Sequence, residues 1–154
     1  MQLTKQANYA VRTLVYCAAN APAQSRVAEI AHAFEISELS LAKFIKPLVD
    51  NNLLETMRGR HGGVRLARPA EDITMGEVIR LTEENFALAE CFEEDGSDCP
   101  LIGHCDVNAA LHEALGAFFA VLEKYTIADL AKRETELRTL LGLDLPATPE
   151  PTPV

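Results

Sequence analysis

Residues 37–66 read SELSLAKFIKPLVDNNLLETMRGRHGGVRL, and this stretch decides the fold. Its first half predicts a helix that Ser37 can cap. The inward face of that helix consists of apolar residues at helical spacing: Leu41, Phe44, Ile45, Leu48 and Val49. Two extended segments follow, Leu53–Thr56 and Val64–Leu66, and the paired glycines between them are typical of a hairpin turn.

Two further helices are predicted upstream of this stretch. The first runs from Thr4 to about Asn20, and the second covers about Val27–Phe34. Pro47 breaks the helical pattern of the third helix and predicts a kink or an early end there. Three helices followed by a hairpin is the order of a winged helix-turn-helix, in which the third helix enters the major groove of DNA.

Downstream, the chain is predicted to be mainly helical. Thr74 opens a Thr-x-x-Glu capping box and a short helix to about Thr82. The acidic stretch Glu90–Asp106 lacks periodicity and is predicted to be a loop. A wide apolar stripe predicts a long helix over about Asn108–Lys124, with a weak continuation to about Leu141. The predicted fold class is therefore mainly α, a winged helix-turn-helix with a long C-terminal helix.

Charge divides the chain into two unequal halves. The net charge is −9, but residues 1–80 carry ten Lys or Arg against eight Asp or Glu, whereas residues 81–154 carry a net −11. A DNA-binding surface needs only a local basic face, so the acidic total does not exclude nucleic acid. No export signal or membrane-length apolar run is visible, which predicts a cytoplasmic protein with no membrane partner.

Cationic and polar residues collect on the third helix and the hairpin. The candidate DNA contacts are Ser37, Ser40, Lys43, Arg58, Arg60, His61 and Arg65. Arginines on a glycine-rich tip suit phosphates and a narrow minor groove. The alternative is a small domain with a solvated basic turn. No Ser/His/Asp grouping and no phosphate loop is present in the sequence, so neither an enzyme nor a small-molecule substrate is predicted.

Three cysteines lie in the acidic stretch: Cys91, Cys99 and Cys105. None forms a Cys-x-x-Cys pair, and this wide spacing suits an iron–sulfur cluster better than a single tetrahedral ion. Three thiolates can hold three irons of a 4Fe–4S cluster, with 2Fe–2S as a breakdown form. Incidental cysteines or a redox disulfide remain alternatives. Cys17 falls near the apolar face of the first helix and is predicted to be core packing.

The sequence resembles the bacterial iron–sulfur winged-helix transcriptional regulators. The resemblance is carried by LTKQANYAVR (residues 3–12), RGRHGGVRLAR (residues 58–68) and the three-cysteine loop, and it covers about residues 1–143. Around the cysteines it is nearest to the rhizobial iron-regulator branch, RirA. The resemblance implies a homodimer in which the long helix crosses its partner, and a cluster that sets affinity for a pseudo-palindromic operator.

The sequence departs from that family at four positions. Family members carry a histidine ligand where this chain has Asn108, or an aspartate ligand, supplied across the dimer, where it has Asn8. Neither amide is a good iron ligand, so water, hydroxide or a nearby carboxylate is expected at the fourth iron. Ser40 and Ala42 replace a tyrosine and a glutamate common in the family, so the operator sequence cannot be carried over.

These features predict an iron-responsive repressor with a labile cluster. A nitric-oxide or redox-stress sensor of the same fold is one alternative, and an iron–sulfur electron-transfer protein is another. The predicted division is a DNA-binding domain at 1–80, a cluster-binding loop at 81–107, dimerisation and C-terminal helices at 108–143, and a disordered tail at 144–154.

Overall fold

The computed structural model describes residues 2–59, 62–92, 100 and 104–143. The predicted tail at 144–154 lies outside these residues. The described part contains seven α-helices and a two-stranded sheet: α1 Lys5–Ala19, α2 Val27–Ala33, α3 Glu38–Asp50, β1 Leu54–Met57, β2 Gly63–Leu66, α4 Met75–Thr82, α5 Asp106–Leu122, α6 Ile127–Leu130 and α7 Glu134–Leu140. Short 3-10 turns cover Ala70–Asp72 and Glu90–Phe92. None of the described helices is long and apolar enough to cross a membrane.

Side-chain caps begin the helices where the sequence predicts them. The Thr4 hydroxyl accepts a hydrogen bond from the Ala7 amide at 3.2 Å, and the Thr74 hydroxyl accepts one from the Glu77 amide at 3.1 Å. The Glu77 carboxylate forms an ion pair with Arg68. Of the predicted capping box, only the Thr74 bond is therefore formed. The Glu77 side chain instead joins α4 to the segment after β2.

Of the two expectations at Pro47, the early end is wrong, because α3 continues to Asp50. A proline removes one helical hydrogen bond, but Leu48 next to it is fully buried and holds the last turn against the core. Asn51 then closes the helix, with its backbone amide and side-chain amide donating to the Pro47 carbonyl at 3.1 and 2.9 Å.

The predicted weak helix to about Leu141 is present as two short helices, α6 and α7, that are separate from α5. The helix α5 ends at Leu122, and Thr126 starts α6 with a capping box. The Thr126 hydroxyl accepts from the Asp129 amide at 3.1 Å, and the Asp129 carboxylate accepts from the Thr126 amide at 3.0 Å. These bonds, with an Ile127 amide that donates to the Ile73 carbonyl at 2.8 Å, turn the chain back toward α1.

The main core surrounds α1. Leu14 of α1, Ile30 of α2, Leu48 of α3 and Ile127 of α6 belong to one buried cluster and are fully inaccessible to solvent. The C-terminal helices therefore complete the core of the N-terminal domain, although the sequence assigns them to a separate segment. This packing gives α3 a rigid support, which a DNA-reading helix requires.

The hairpin docks onto the connection between α1 and α2. Its strands are antiparallel, with Leu54 opposite Leu66 and Glu55 opposite Arg65. Ser25 and Val64 exchange backbone hydrogen bonds of 2.9 and 2.8 Å, which fix the base of the hairpin to the helical core.

Candidate nucleic-acid interface and cysteine site

The first turn of α3 is built on two serines. The Ser37 hydroxyl accepts from the Ser40 amide at 3.2 Å and donates to the Ser40 hydroxyl at 2.8 Å. The Ser37 hydroxyl oxygen therefore caps α3, as the sequence predicts, and its hydrogen is donated to Ser40. Lys43 is exposed one turn further along. All three residues lie on the helix that the winged-helix arrangement directs into the major groove.

Aromatic stacking fixes the orientation of α3 on α1. The rings of Tyr9 and Phe44 are stacked, with centroids 5.5 Å apart and planes 3° apart. The Arg12 guanidinium lies 5.5 Å from the Tyr9 centroid and 5.9 Å from that of Phe34, within cation–π range. The opposite face of α3 is exposed and carries Lys43 and other polar residues.

The predicted cations of the hairpin differ in whether a carboxylate holds them. Arg58 is exposed. The Arg65 Nε lies 2.5 Å from the Glu55 Oε1 across the strands, so its guanidinium is oriented by a carboxylate. Arg60 and His61 lie outside the described residues.

Two glycines make the approach to the hairpin turn. Gly59 has a φ of +117°, a conformation that side-chain-bearing residues rarely adopt. A Cβ at Gly62 would lie 2.6 Å from the Met57 carbonyl oxygen, so a larger residue would force the backbone to shift. Gly62, one of the paired glycines that the sequence identifies as turn residues, is therefore required by the close approach of the backbone.

The structure brings two of the three predicted metal ligands to one end of α5. Cys91 lies in the 3-10 turn Glu90–Phe92, and Cys105 is the N-cap residue of α5. Both are half-buried free thiols. The Asn108 side-chain amide lies 3.5 Å from the Cys91 carbonyl oxygen, which sets the turn against the first turn of α5. Cys99 lies outside the described residues.

A ring stack strengthens this contact. The Phe92 ring and the His112 imidazole are stacked with centroids 4.0 Å apart. Sequence reasoning missed His112, but a signal was present: Cys105, Asn108 and His112 follow one another at i, i+3 and i+7, which places them on one helix face.

Within the described ranges, no three His, Cys, Asp or Glu side chains are close enough together to hold a metal ion. The described thiols of Cys91 and Cys105 supply two soft ligands suited to iron–sulfur chemistry. Cys17 differs from these two thiols because it is buried. Desolvation raises its pKa to about 12 despite a hydrogen bond to Ser25. It is core packing, as predicted.

The long helix α5 buries only Phe119 among its 17 residues. Phe119 forms a second buried cluster with Ala7 of α1 and Ile79 of α4. The Arg80 guanidinium lies 3.6 Å from the Phe119 centroid, and Arg80 pairs with Glu123 at 3.0 Å. One end of α5 is thus joined to the DNA-binding helices, while the cysteines lie at the other end.

Three helices, a docked antiparallel hairpin and an exposed third-helix face define a winged-helix DNA-binding protein of the mainly α class. Residues 3–133 match the Rrf2 family, described as "Iron-dependent Transcriptional regulator". The chain belongs to this family, and it is therefore a transcriptional regulator and not an enzyme.

Individual proteins are similar to this chain over most of its length. The chain is 55% identical over 150 residues to Protein aau3 of Rhizobium meliloti (strain 1021), covering 97% of each chain. It is 45% identical over 142 residues to the HTH-type transcriptional regulator NsrR of Geobacillus kaustophilus (strain HTA426), covering 92% of this chain and 97% of the relative. The oxidized form of Staphylococcus aureus CymR is similar in structure, with a TM-score of 0.70 and 25% identity over 85% of this chain and 96% of that one. The nearer resemblance to the rhizobial iron regulators stays a prediction.

Proposed function

We propose that this protein is a homodimeric, iron-responsive repressor whose operator affinity depends on an iron–sulfur cluster held by Cys91, Cys99 and Cys105. The observation that carries the proposal is the seating of the Cys91 turn on the first turn of α5, which begins immediately after Cys105. Two thiols distant in sequence are thereby held at one helix end.

The residues present fit such a cluster. Cys91 and Cys105 are free and half-buried, so their sulfur atoms can bind iron without a disulfide having to be reduced. The N-terminal end of α5 favours negative charge, and thiolate ligands bring it. Asn108 contacts the Cys91 backbone, so its role is to position that turn. Because position 108 carries no histidine, the fourth iron of a 4Fe–4S cluster would be bound by water, hydroxide or a carboxylate. Such weak ligation favours loss of that iron.

The helix α5 is the element that couples the cysteines to DNA. Cys91, Cys99 and Cys105 would be tied together by a bound cluster, and this link would be lost when iron is scarce. The Cys91 turn then loses a tether to α5, while Phe119 keeps the far end of α5 against Ile79 and Ala7. A change in the pose of α5 therefore reaches α4 and α1, on which α3 rests. A differential affinity of about 1–3 kcal/mol suffices for such a switch.

The DNA-contacting residues are those of α3 and the hairpin. Ser37, Ser40 and Lys43 would enter the major groove, and Arg58 with Arg60, His61 and Arg65 would reach the neighbouring groove and phosphates. Exposure of Lys43, Arg58 and Arg65 supports this assignment. The homodimer is supported by α5, an apolar helix that buries only one of its residues within a single chain.

The test follows cluster and DNA together. Anaerobically purified protein is expected to be brown, and a chelator is expected to bleach its absorbance and weaken binding to duplexes selected from a random pool. Cys99→Ala should abolish cluster assembly, whereas Cys17→Ala should assemble it normally. Bleaching with no change in DNA affinity would contradict the proposed switch, and normal cluster yield in Cys99→Ala would remove that residue from the ligand set.

Nitric oxide or redox stress is a second candidate signal, because a relative at 45% identity carries the name NsrR. Exposure of the loaded protein to nitric oxide, compared with iron withdrawal at equal loss of absorbance, separates the two signals. An electron-transfer role is disfavoured by membership of a regulator family. Such a role would give reversible reduction with the cluster retained and no salt-dependent DNA affinity.

A further inference from the structure

A large apolar side chain is exposed at the start of the DNA-reading helix. Leu39, the second residue of α3, is 73% exposed. The other large hydrophobic residues exposed in the described part of the chain are Val107, Val121, Tyr125 and Leu140, which lie on or after α5. Leu39 is therefore the member of this set that lies on α3, the helix proposed to enter the major groove.

Packing does not account for Leu39. The buried face of α3 is made by Leu41, Ile45 and Leu48, and Leu39 points away from it. Ala42, three residues later and hence on the same face as Leu39, is exposed as well. The neighbouring serines have hydrogen bonds to each other. The outward surface at the start of α3 is consequently apolar at Leu39 and Ala42. A helix that contacted base edges through hydrogen bonds alone would carry polar side chains at these positions.

The major-groove edge of a base pair offers one apolar group, the C5-methyl of thymine. A leucine pressed against any other base edge would remove water from hydrogen-bonding groups and return no bond. Lys43, exposed beside Ala42, can supply the phosphate attraction that brings this face into the groove.

We propose that Leu39, supported by Ala42, reads thymine methyl groups in the operator and thereby determines part of its sequence. The inference rests on DNA binding through α3 but is independent of the cluster. It makes Leu39 a specificity residue beside the DNA contacts proposed for Ser37, Ser40 and Lys43.

The experiment replaces thymine with deoxyuridine, which removes only the methyl group. Anaerobically purified full-length protein selects duplexes from a random pool, and each thymine of the selected site is then replaced singly. For the wild type, one or two positions per half-site should lose about three- to fivefold in affinity, the value of one buried methyl. Leu39→Ala should bind the thymine and deoxyuridine forms equally, and Leu39→Met, which keeps an apolar side chain, should retain a preference for thymine.

Leu140→Ala is the matched control, because Leu140 is equally apolar, is 81% exposed and lies on α7. It should keep the wild-type pattern. An undiminished preference for thymine in Leu39→Ala, or no sensitive thymine for the wild type, would overturn the inference while leaving DNA binding intact. Failure of the wild type to enrich any duplex would instead overturn DNA binding through α3, and the inference with it.

Discussion

The Phe92 ring lies flat against the imidazole of His112, with centroids 4.0 Å apart and planes 13° apart. This stack joins the turn that carries Cys91 to the helix that begins after Cys105. Aromatic pairs of this kind contribute about 0.5–1.5 kcal/mol beyond the burial of their area. The stack therefore helps to hold the Cys91 turn against α5.

Replacing His112 should loosen that turn. His112→Ala is expected to increase hydrogen exchange at the backbone of residues 89–92 by about two- to tenfold, the factor that corresponds to the stacking energy. His112→Phe should restore protection, since it keeps an aromatic ring. His32→Ala is the control, because His32 is exposed on α2. Equal exchange in His112→Ala and wild type would show that the stack does not hold the turn.

Removing the carboxylate beside Arg65 should strengthen DNA binding. Glu55 and Arg65 are both partly exposed, with side-chain exposures of 43% and 47%, and a surface pair of this kind contributes less than about 1 kcal/mol. Glu55→Gln is therefore expected to leave stability nearly unchanged and to raise affinity for duplex DNA about two- to fivefold, with a steeper salt dependence. Fluorescence anisotropy over a salt series measures both. Glu136→Gln, on α7, removes a comparable exposed carboxylate and should change neither quantity.

Thiol labelling should separate Cys17 from Cys91 and Cys105, the two described cysteines of the proposed metal site. Cys17 is 3% exposed, and burial raises its pKa to about 12, so it is neither accessible nor ionised at neutral pH. Cys91 and Cys105 are half-buried and should react with an alkylating reagent in cluster-free protein. Mass spectrometry of peptides identifies the labelled sites. Rapid labelling of Cys17 before unfolding in urea would contradict the buried position.

Alkaline pH should destabilise the fold through Cys17. Its pKa rises from 9.0 to about 12 on folding, so the unfolded chain releases a proton first. The contribution to stability is complete below about pH 9 and is lost as pH rises from there toward 12, with a slope of up to about 1.4 kcal/mol per pH unit. Tyr16, whose pKa burial also raises to about 12, adds to the loss above pH 10. Urea denaturation at pH 8, 9 and 10 tests this, and Cys17→Ala should flatten the curve between pH 9 and 10.

A charge on the exposed face of α5 should weaken the proposed homodimer. Val121 is 49% exposed within one chain, and burying a lysine there against a second copy would be costly. Val121→Lys is expected to raise the dimer dissociation constant at least tenfold in analytical ultracentrifugation. Leu140→Lys, on α7, should leave it unchanged. Equal dissociation constants for Val121→Lys and wild type would exclude this part of α5 from the interface.

Local patterns determined much of the architecture. A hydroxyl at Thr4, Ser37 or Thr74 can cap a helix whatever lies elsewhere, so the starts of α1, α3 and α4 followed from neighbouring residues. The hairpin followed from its glycines for the same reason. The early end of α3, one of the two outcomes predicted at Pro47, is wrong because the prediction considered only the local effect of proline. The burial of the neighbouring Leu48 side chain stabilises the last turn by more than the loss of one hydrogen bond destabilises it.

Only the tertiary structure decided which distant residues meet. Sequence spacing identified Cys91 and Cys105 as thiols of one acidic stretch, but the contacts of Asn108 and His112 with the Cys91 turn depend on how that turn packs on α5. The same holds for Leu39: the helical pattern leaves it out of the inward face of α3, but only the packed structure shows that the side chain is 73% exposed. Composition and spacing are properties of the chain, whereas exposure and contact between distant segments depend on the packing of the whole core.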